Sequence, residues 1–332
     1  MKSADDLRSV LERIDGKGYK AYKDIRGCYS FEKFTLCIDH VQGDPFASPS
    51  RLHVEVAPDA AAFPEWTYKS RSREIAARDY LTRQFDAAAR RIAAGNRGTG
   101  KGGLVEIDRP GEEVLERTSA FLGSRGVEIR FFCGLPAFGR RIAGKHAAEM
   151  LLEEVPAIVA EVGFFAALDE SALREHVETA EDADTLRSSL SEHGLVAFVA
   201  DGSILPRRSG IDQRPMKLED AVPFESPRSL RVEFDLPNRG RVSGLGIRSG
   251  VTLIVGGGYH GKSTLLAAIE RGVYNHVPKD GRELVVSDPS TFTIRAEDGR
   301  RIEKTSITPF ISGLPGGRDT DTFESEDASG ST

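Results

Sequence analysis

Val251-Thr252-Leu253-Ile254-Val255-Gly256-Gly257-Gly258-Tyr259-His260-Gly261-Lys262-Ser263-Thr264 is the stretch that decides the fold class of this chain. The five residues Val251–Val255 are β-branched or leucine, a run that predicts a buried parallel strand. It feeds directly into Gly-x-x-x-x-Gly-Lys-Ser. The residues after Lys262, Ser-Thr-Leu-Leu-Ala-Ala-Ile-Glu-Arg, are mostly good helix formers, and Gly272 is placed to end the helix. Strand, glycine loop and helix together are the setting in which this spacing marks a phosphate-binding loop.

Each residue type in the loop has a physical reason to be there. Gly256, Gly257, Gly258 and Gly261 permit backbone conformations and close approaches that a Cβ would block. Consecutive amides can then turn toward a phosphate at the positive end of the following helix. Lys262 is the expected catalytic charge, reaching the β- and γ-phosphates. Ser263 is expected to place its hydroxyl on Mg²⁺, and Thr264 to support the α-phosphate side. Tyr259 and His260 fill variable positions of the same loop. A second cluster, Gly98-Thr99-Gly100-Lys101-Gly102, mimics the pattern and fails it: Gly102 has no hydroxyl for a metal and no strand precedes it. A flexible basic loop is expected there.

At 332 residues the chain is long enough for two or three domains with their own cores. A hydrophobic content of 39% and a charged content of 29% suit a soluble globular protein, and a net charge of −6 makes no overall case for nucleic-acid or membrane binding. Cys28, Cys37 and Cys133 are too few and too scattered for a disulfide scaffold or a zinc site, which predicts a reducing, cytoplasmic setting. The N-terminus lacks a signal-peptide core, and no apolar stretch is long enough to span a membrane. No His-x-x-x-His or Cys–His spacing suggests a metal, and no Gly-x-Ser-x-Gly elbow suggests a serine hydrolase.

Along the chain, Ser3 and Asp6 predict a cap for a helix over Asp5–Ile14. Strands are expected at Phe34–Ile38, Leu52–Val56, Val127–Cys133 and Val196–Val199. Helices are expected over Glu74–Ala94 and Ala143–Glu161, with two short polar ones in 169–193. A turn-rich linker runs from Asp201 to Met216, where the main domain boundary is expected. Ser229–Leu236 and Arg241–Ile247 predict a β-ribbon leading into the loop strand. Glu283–Val286, Thr291–Ala296 and Arg301–Ser306 predict later strands, the last two joined by a tight turn at Glu297-Asp298-Gly299-Arg300.

Charge is uneven. Lys69–Lys101 holds nine Lys/Arg against three Asp/Glu, and Asp169–His193 holds eight Asp/Glu against two Arg. Trp66, Tyr68 and Tyr80 lie close to the basic stretch, so it could hold an RNA backbone and stack bases. The competing expectation is a solvated helix face paired with acidic neighbours.

A β-ribbon entering the loop strand, and the Gly-Lys-Ser-Thr ending, resemble an ABC-type nucleotide-binding domain. The chain resembles the predicted ATPases of the ABC class through Gln42-Gly43-Asp44-Pro45-Phe46-Ala47, Asp79-Tyr80-Leu81-Thr82-Arg83, Gly134-Leu135-Pro136-Ala137 and Leu205-Pro206-Arg207. Gly256–Thr264, Gly272-Val273-Tyr274-Asn275-His276, Glu297-Asp298-Gly299-Arg300 and Ala328-Ser329-Gly330-Ser331-Thr332 continue the likeness. It implies an α/β fold in which an N-terminal α+β region (1–205) and a linker (206–216) precede a partial ABC-type P-loop domain (217–332). It further implies ATP and Mg²⁺ as ligands and ATP hydrolysis. In the complete protein it implies a head-to-tail homodimer, where Ser329, Gly330 and Ser331 would contact the γ-phosphate held by a second subunit.

The departures from that family are specific. The hydrophobic strand ending in an acidic pair, which hydrolysis needs, has Asp288 as its only local candidate; Pro289 follows it, and a strand-ending turn is the better reading. No glutamine follows Gln213, Lys279 stands where the family implies glycine, and Phe234 could stack on adenine but suits a core. The chain is therefore expected to be an amino-terminal piece of a longer ATPase or a truncated gene product. The alternative is an RNA-binding module for which nucleotide is regulatory or dispensable.

Overall fold

The Ser3 hydroxyl accepts the Asp6 amide at 3.1 Å, and the Asp6 carboxylate accepts the Ser3 amide at 2.7 Å. This reciprocal cap opens α1 (Ala4–Ile14), which buries Leu7, Leu11 and Ile14. The computed structural model describes residues 2–256, 260–294, 301–309, 317 and 319–325. The chain forms two units, Met1–Pro289 and Ser290–Thr332.

The first sheet is built from β1 (Gly27–Ser30), β2 (Thr35–His40), β3 (Ser50–Val56), β4 (Ala120–Gly123) and β5 (Gly126–Cys133). Neighbours run antiparallel in the order β1-β2-β3-β5, β4 also pairs with β5, and Lys2–Ser3 adds a parallel edge to β1. Residues alternate along β3: Ser50, Leu52, Val54 and Val56 are buried while Arg51 and Glu55 face outward. The buried face packs on α2 (Arg71–Ile92), with Phe85 and Phe131 ring centroids 4.9 Å apart. Next come α3 (Gly144–Glu149), a π-helical turn at Met150–Glu154 and α4 (Val155–Val162). One helix was expected here. Pro156 lacks an amide and its ring crowds the carbonyl four residues back, so the turn before it widens.

Two short helices were expected in 169–193, but α5 (Glu170–Ser189) is a single helix followed by a short 3₁₀ turn at Ser191–His193. No Gly or Pro interrupts it, and Leu173, Val177, Ala180, Ala183 and Leu186 form one continuous buried stripe. It covers a second sheet of β6 (Leu195–Ala200), β7 (Arg231–Leu236), β8 (Gly240–Arg248) and β9 (Val285–Ser287). The order is β7-β8-β6-β9 and every pair is antiparallel. Phe234 is core, edge-on to Phe198 at 5.3 Å. Beside this sheet lies α6 (Lys262–Arg271).

Three expectations are corrected. Val251–Val255 is not a strand and is not buried: Val251, Leu253 and Val255 are 91%, 81% and 74% exposed. An apolar run becomes a buried strand only when neighbours pair with it and cover it, and no described strand lies against this one. Cys28 and Cys37, nine residues apart, are opposite each other in the β1–β2 register and are disulfide-bonded, which leaves Cys133 as the buried free thiol. Gly98–Gly102 is not a loose loop either. Its amides bond outward, Thr99 to Ala137 O at 2.7 Å and Lys101 to Pro45 O at 3.0 Å. A Cβ on Gly134 would lie 1.7 Å from Lys101 O, so backbone meets backbone where only glycine fits.

In the second unit, Ile302–Thr305, expected to form a hairpin with Thr291–Ala296, pairs antiparallel with Phe323–Ser325. Of that expected partner, Thr291–Ile294 is not strand. The expected turn at Glu297–Arg300 lies outside the described residues.

Candidate functional site

Gly261 takes a left-handed φ of +80° and caps the start of α6, a conformation that favours glycine. Lys262 is the first helical residue, and its Nζ donates to the Gly256 carbonyl at 2.6 Å, folding back across the loop. Ser263 is exposed in the first turn, as is His260 just ahead of it, while Thr264 is half-buried. Gly257, Gly258 and Tyr259, and the signature-like Ser329, Gly330 and Ser331, lie outside the described residues. The far end of the helix is fixed. Ser287 Oγ donates to Ile269 O at 2.6 Å, the Ser287 amide to Gly272 O at 2.9 Å, and Arg187 Nη2 to the same carbonyl at 3.1 Å. A Cβ on Gly272 would lie 2.7 Å from Ser287 Oγ, so glycine is needed for this close approach.

Along α6, from Ser263 and Thr264 in its first turn to Glu270 and Arg271 in its last, runs a cavity of about 510 Å³ whose other walls include Arg207 and Arg282. Arg207 is anchored by Asp280, Nη2 to Oδ2 at 2.6 Å and Nη1 to the backbone oxygen at 2.9 Å. His276 Nδ1 lies 2.8 Å from the same carboxylate oxygen. Burial raises the Asp280 carboxyl, but its contacts with the His276 ring and the Arg207 guanidinium outweigh it and hold it below the usual carboxylate value. Burial, reinforced by Arg207, pushes the Arg282 guanidinium down to about 10. Arg282 Nε is held by Leu205 O at 2.9 Å. Arg207, Arg282 and, at the carboxyl end of α6, the Glu113-paired Arg271 give this cavity positive potential that favours an anion.

Asp280 and Arg282 were not legible as site residues. Leu205-Pro206-Arg207 and Gly272–His276 were visible as family segments, but the carboxylate that joins them is 73 residues beyond Arg207. Lys279 adopts φ +67°, so the turn keeps the left-handed geometry a glycine would take. Asp288 follows β9, a strand antiparallel to β6, and its amide bonds Val196 O at 2.8 Å.

The arginines of the basic stretch are occupied with internal pairing. Arg73 meets Glu181, Arg78 meets Glu74, Arg83 meets Asp79, Arg90 meets Asp86, Arg91 meets Glu161 and Arg97 meets Glu154. Tyr80 is buried, and Trp66 is covered by the Arg174 guanidinium, 4.0 Å from its ring centroid. Among the described residues no group of three or more His, Cys, Asp or Glu side chains is arranged to hold a metal, and no helix is long and apolar enough to cross a membrane.

Comparison with known proteins fits this arrangement. A family model described as the ATPase of the ABC class N-terminal matches residues 4–165, and one described as the P-loop domain of the ABC ATPase matches residues 169–332. An uncharacterized protein of Methanocaldococcus jannaschii is 33% identical over 138 residues, which is 40% of this chain and 31% of that protein. The chain thus matches less than a third of that relative's length.

Proposed function

Since the chain belongs to the ABC-class ATPases, we propose that residues 256–264 bind ATP together with Mg²⁺. The observation that carries the proposal is Lys262 at the head of α6, its ammonium returned over the loop to Gly256 at 2.6 Å. From there it reaches phosphates held by the loop and helix amides, with Thr264 on the α-phosphate side. Ser263 is the residue that would hold the metal, which neutralises charge on the β- and γ-oxygens when bound. Arg207, Arg271 and Arg282 line the cavity that runs along α6 from Ser263 and Thr264 and add positive potential to it.

Isothermal titration with ATP and a non-hydrolysable analogue tests this directly. Lys262→Ala is expected to weaken binding by at least a hundred-fold, and Ser263→Ala to remove most of the Mg²⁺ dependence. Equal affinity in wild type and Lys262→Ala sinks the proposal. Hydrolysis and a head-to-tail dimer that places Ser329, Gly330 and Ser331 on a neighbour's γ-phosphate are the family's further properties. They are proposed for the complete protein and tested by phosphate release and by sedimentation with and without nucleotide.

A further inference from the structure

The cations of α2 are paired, but a second group of cations is not. Lys17, Lys101, Arg140, Arg141 and Lys145 are exposed, and none of them forms an ion pair among the described residues. They come from four separate places in the sequence and are tied into one surface by backbone bonds. The Ile142 amide donates to Lys17 O at 2.9 Å, and the Tyr19 amide to Arg140 O at 2.9 Å. Arg141 Nη1 holds Gly16 O at 3.3 Å. Lys145 sits in the first turn of α3, next to Gly144, whose amide donates to Asp15 Oδ1 at 2.7 Å. The Lys101 loop joins through Thr99, whose hydroxyl accepts the Gly139 amide at 2.8 Å.

Two large aromatic rings stand open on the same surface. Phe46 is 70% exposed and Phe138 is 61% exposed. The Gly98–Gly102 loop is bonded to both of their segments, to Pro45 on one side and to Ala137 and Gly139 on the other. The rings therefore flank a cationic loop that close backbone packing holds still. His146 meets Phe138 edge-on at 5.8 Å, which leaves a ring face uncovered. The nearby carboxylates are committed to the fold: Asp44 accepts the Phe46 and Ala47 amides, Asp15 the Gly144 amide, and Glu149 meets Arg97 and His146.

Cations without carboxylate partners, set between uncovered aromatic faces on a rigid support, suit a chain that alternates phosphates with flat bases. We propose that this surface, and not the basic stretch of α2, is a binding site for single-stranded nucleic acid. The phosphates would lie along Lys101, Arg140 and Arg141, and bases would stack on Phe46 and Phe138. An acidic polypeptide would use the cations and leave the rings idle, and a duplex would keep its bases out of reach of them. The proposal is independent of the nucleotide site, because it uses none of its residues.

Fluorescence anisotropy of the full chain with a labelled uridine 20-mer, across a salt series, tests it. Phe46→Ala and Phe138→Ala are each expected to weaken binding by roughly five- to one-hundred-fold, the range for losing one stacked base. Lys101→Ala with Arg140→Ala is expected to flatten the slope of log K against log salt by about 1.4, given about 0.7 per phosphate contact on a single strand. Arg90→Ala, Arg91→Ala and Lys262→Ala are expected to leave affinity unchanged, and thermal melts confirm that each variant folds. The proposal is overturned by wild-type chain that fails to bind the 20-mer or binds a duplex of equal length as tightly. Phenylalanine variants at wild-type affinity overturn it too, as does binding to polyglutamate or to phosphatidylserine vesicles in preference to the 20-mer.

Discussion

Arg73 Nη2 lies 2.7 Å from Glu181 Oε2, and this contact joins the two regions that the family models divide between residues 165 and 169. Arg73 is on α2 and Glu181 on α5. The same guanidinium donates to Asn238 Oδ1 at 2.9 Å, in the turn between β7 and β8. Asp182 completes the junction by accepting the Asn238 and Arg239 amides at 3.0 and 2.9 Å. Motion passed between the N-terminal region and the P-loop domain has to strain or break this set.

Removing Arg73 leaves Glu181 largely buried with no opposite charge, held only by Ser70 and Asn238 at 3.1 and 3.0 Å. Arg73→Ala is expected to lower the unfolding free energy by about 3 kcal/mol, the lower end of the range for breaking a buried ion pair. Urea denaturation at neutral pH measures it. A loss within about 0.5 kcal/mol, typical of an ordinary surface substitution, would show that the pair does not hold the regions together.

Glu181 also sets a pH dependence. Burial raises its carboxyl, but hydrogen bonds from Arg73, Asn238 and Ser70 and the Arg73 charge prevail, taking it from 4.5 down to about 2. The folded pKa is depressed, so the stabilisation is complete above the unfolded value and is lost as pH falls from 4.5 through about 2. The contribution at neutral pH is on the order of 3 kcal/mol before solvent screening is discounted. Melting temperatures from pH 7 to 2 are expected to fall less steeply in Glu181→Gln than in wild type.

Gly134 and Gly123 make a matched pair. Alanine at Gly134 would put its Cβ 1.7 Å from Lys101 O, whereas at Gly123 the Cβ would meet nothing within 4 Å. Gly134→Ala is expected to cost at least about 2 kcal/mol through overpacking, and Gly123→Ala less than about 0.5 kcal/mol. Thermal melts of the two variants, compared side by side, decide it.

Thiol counting checks the cysteine arrangement. Without reductant, one cysteine per chain is expected to react, and only in denaturant, because Cys133 is fully buried and burial raises its thiol pKa. With reductant and denaturant all three are expected to react. Two additional reactive thiols in unreduced, denatured chain would exclude the Cys28–Cys37 bond.

Local signals carried most of the fold. Ser3 and Asp6 announced α1, apolar runs announced β3 and β5, and the ribbon at Arg231–Leu236 and Gly240–Arg248 followed from its alternation and turn residues. What failed depended on partners distant in sequence. The strand character of Val251–Val255 was legible, but whether anything pairs with it was not. The arginines of the basic stretch looked like a charged face because the carboxylates that bind Arg73, Arg91 and Arg97 lie 57 to 108 residues further on. In the candidate site, Gly261, Lys262 and Ser263 were readable from spacing. The Arg207–Asp280–His276 cluster was not, since no spacing rule connects it.

The open row of Val251, Leu253 and Val255 governs how the chain behaves in a tube as well as how it folds. Alternate exposed apolar side chains on a backbone that no described strand pairs with form an adhesive edge, ready to accept any similar segment that collides with it. Clumping should therefore grow with concentration and be insensitive to ATP analogues that engage only the loop. A lysine in place of Leu253 should raise the solubility ceiling without changing the melting temperature, because that side chain contributes almost nothing to the core.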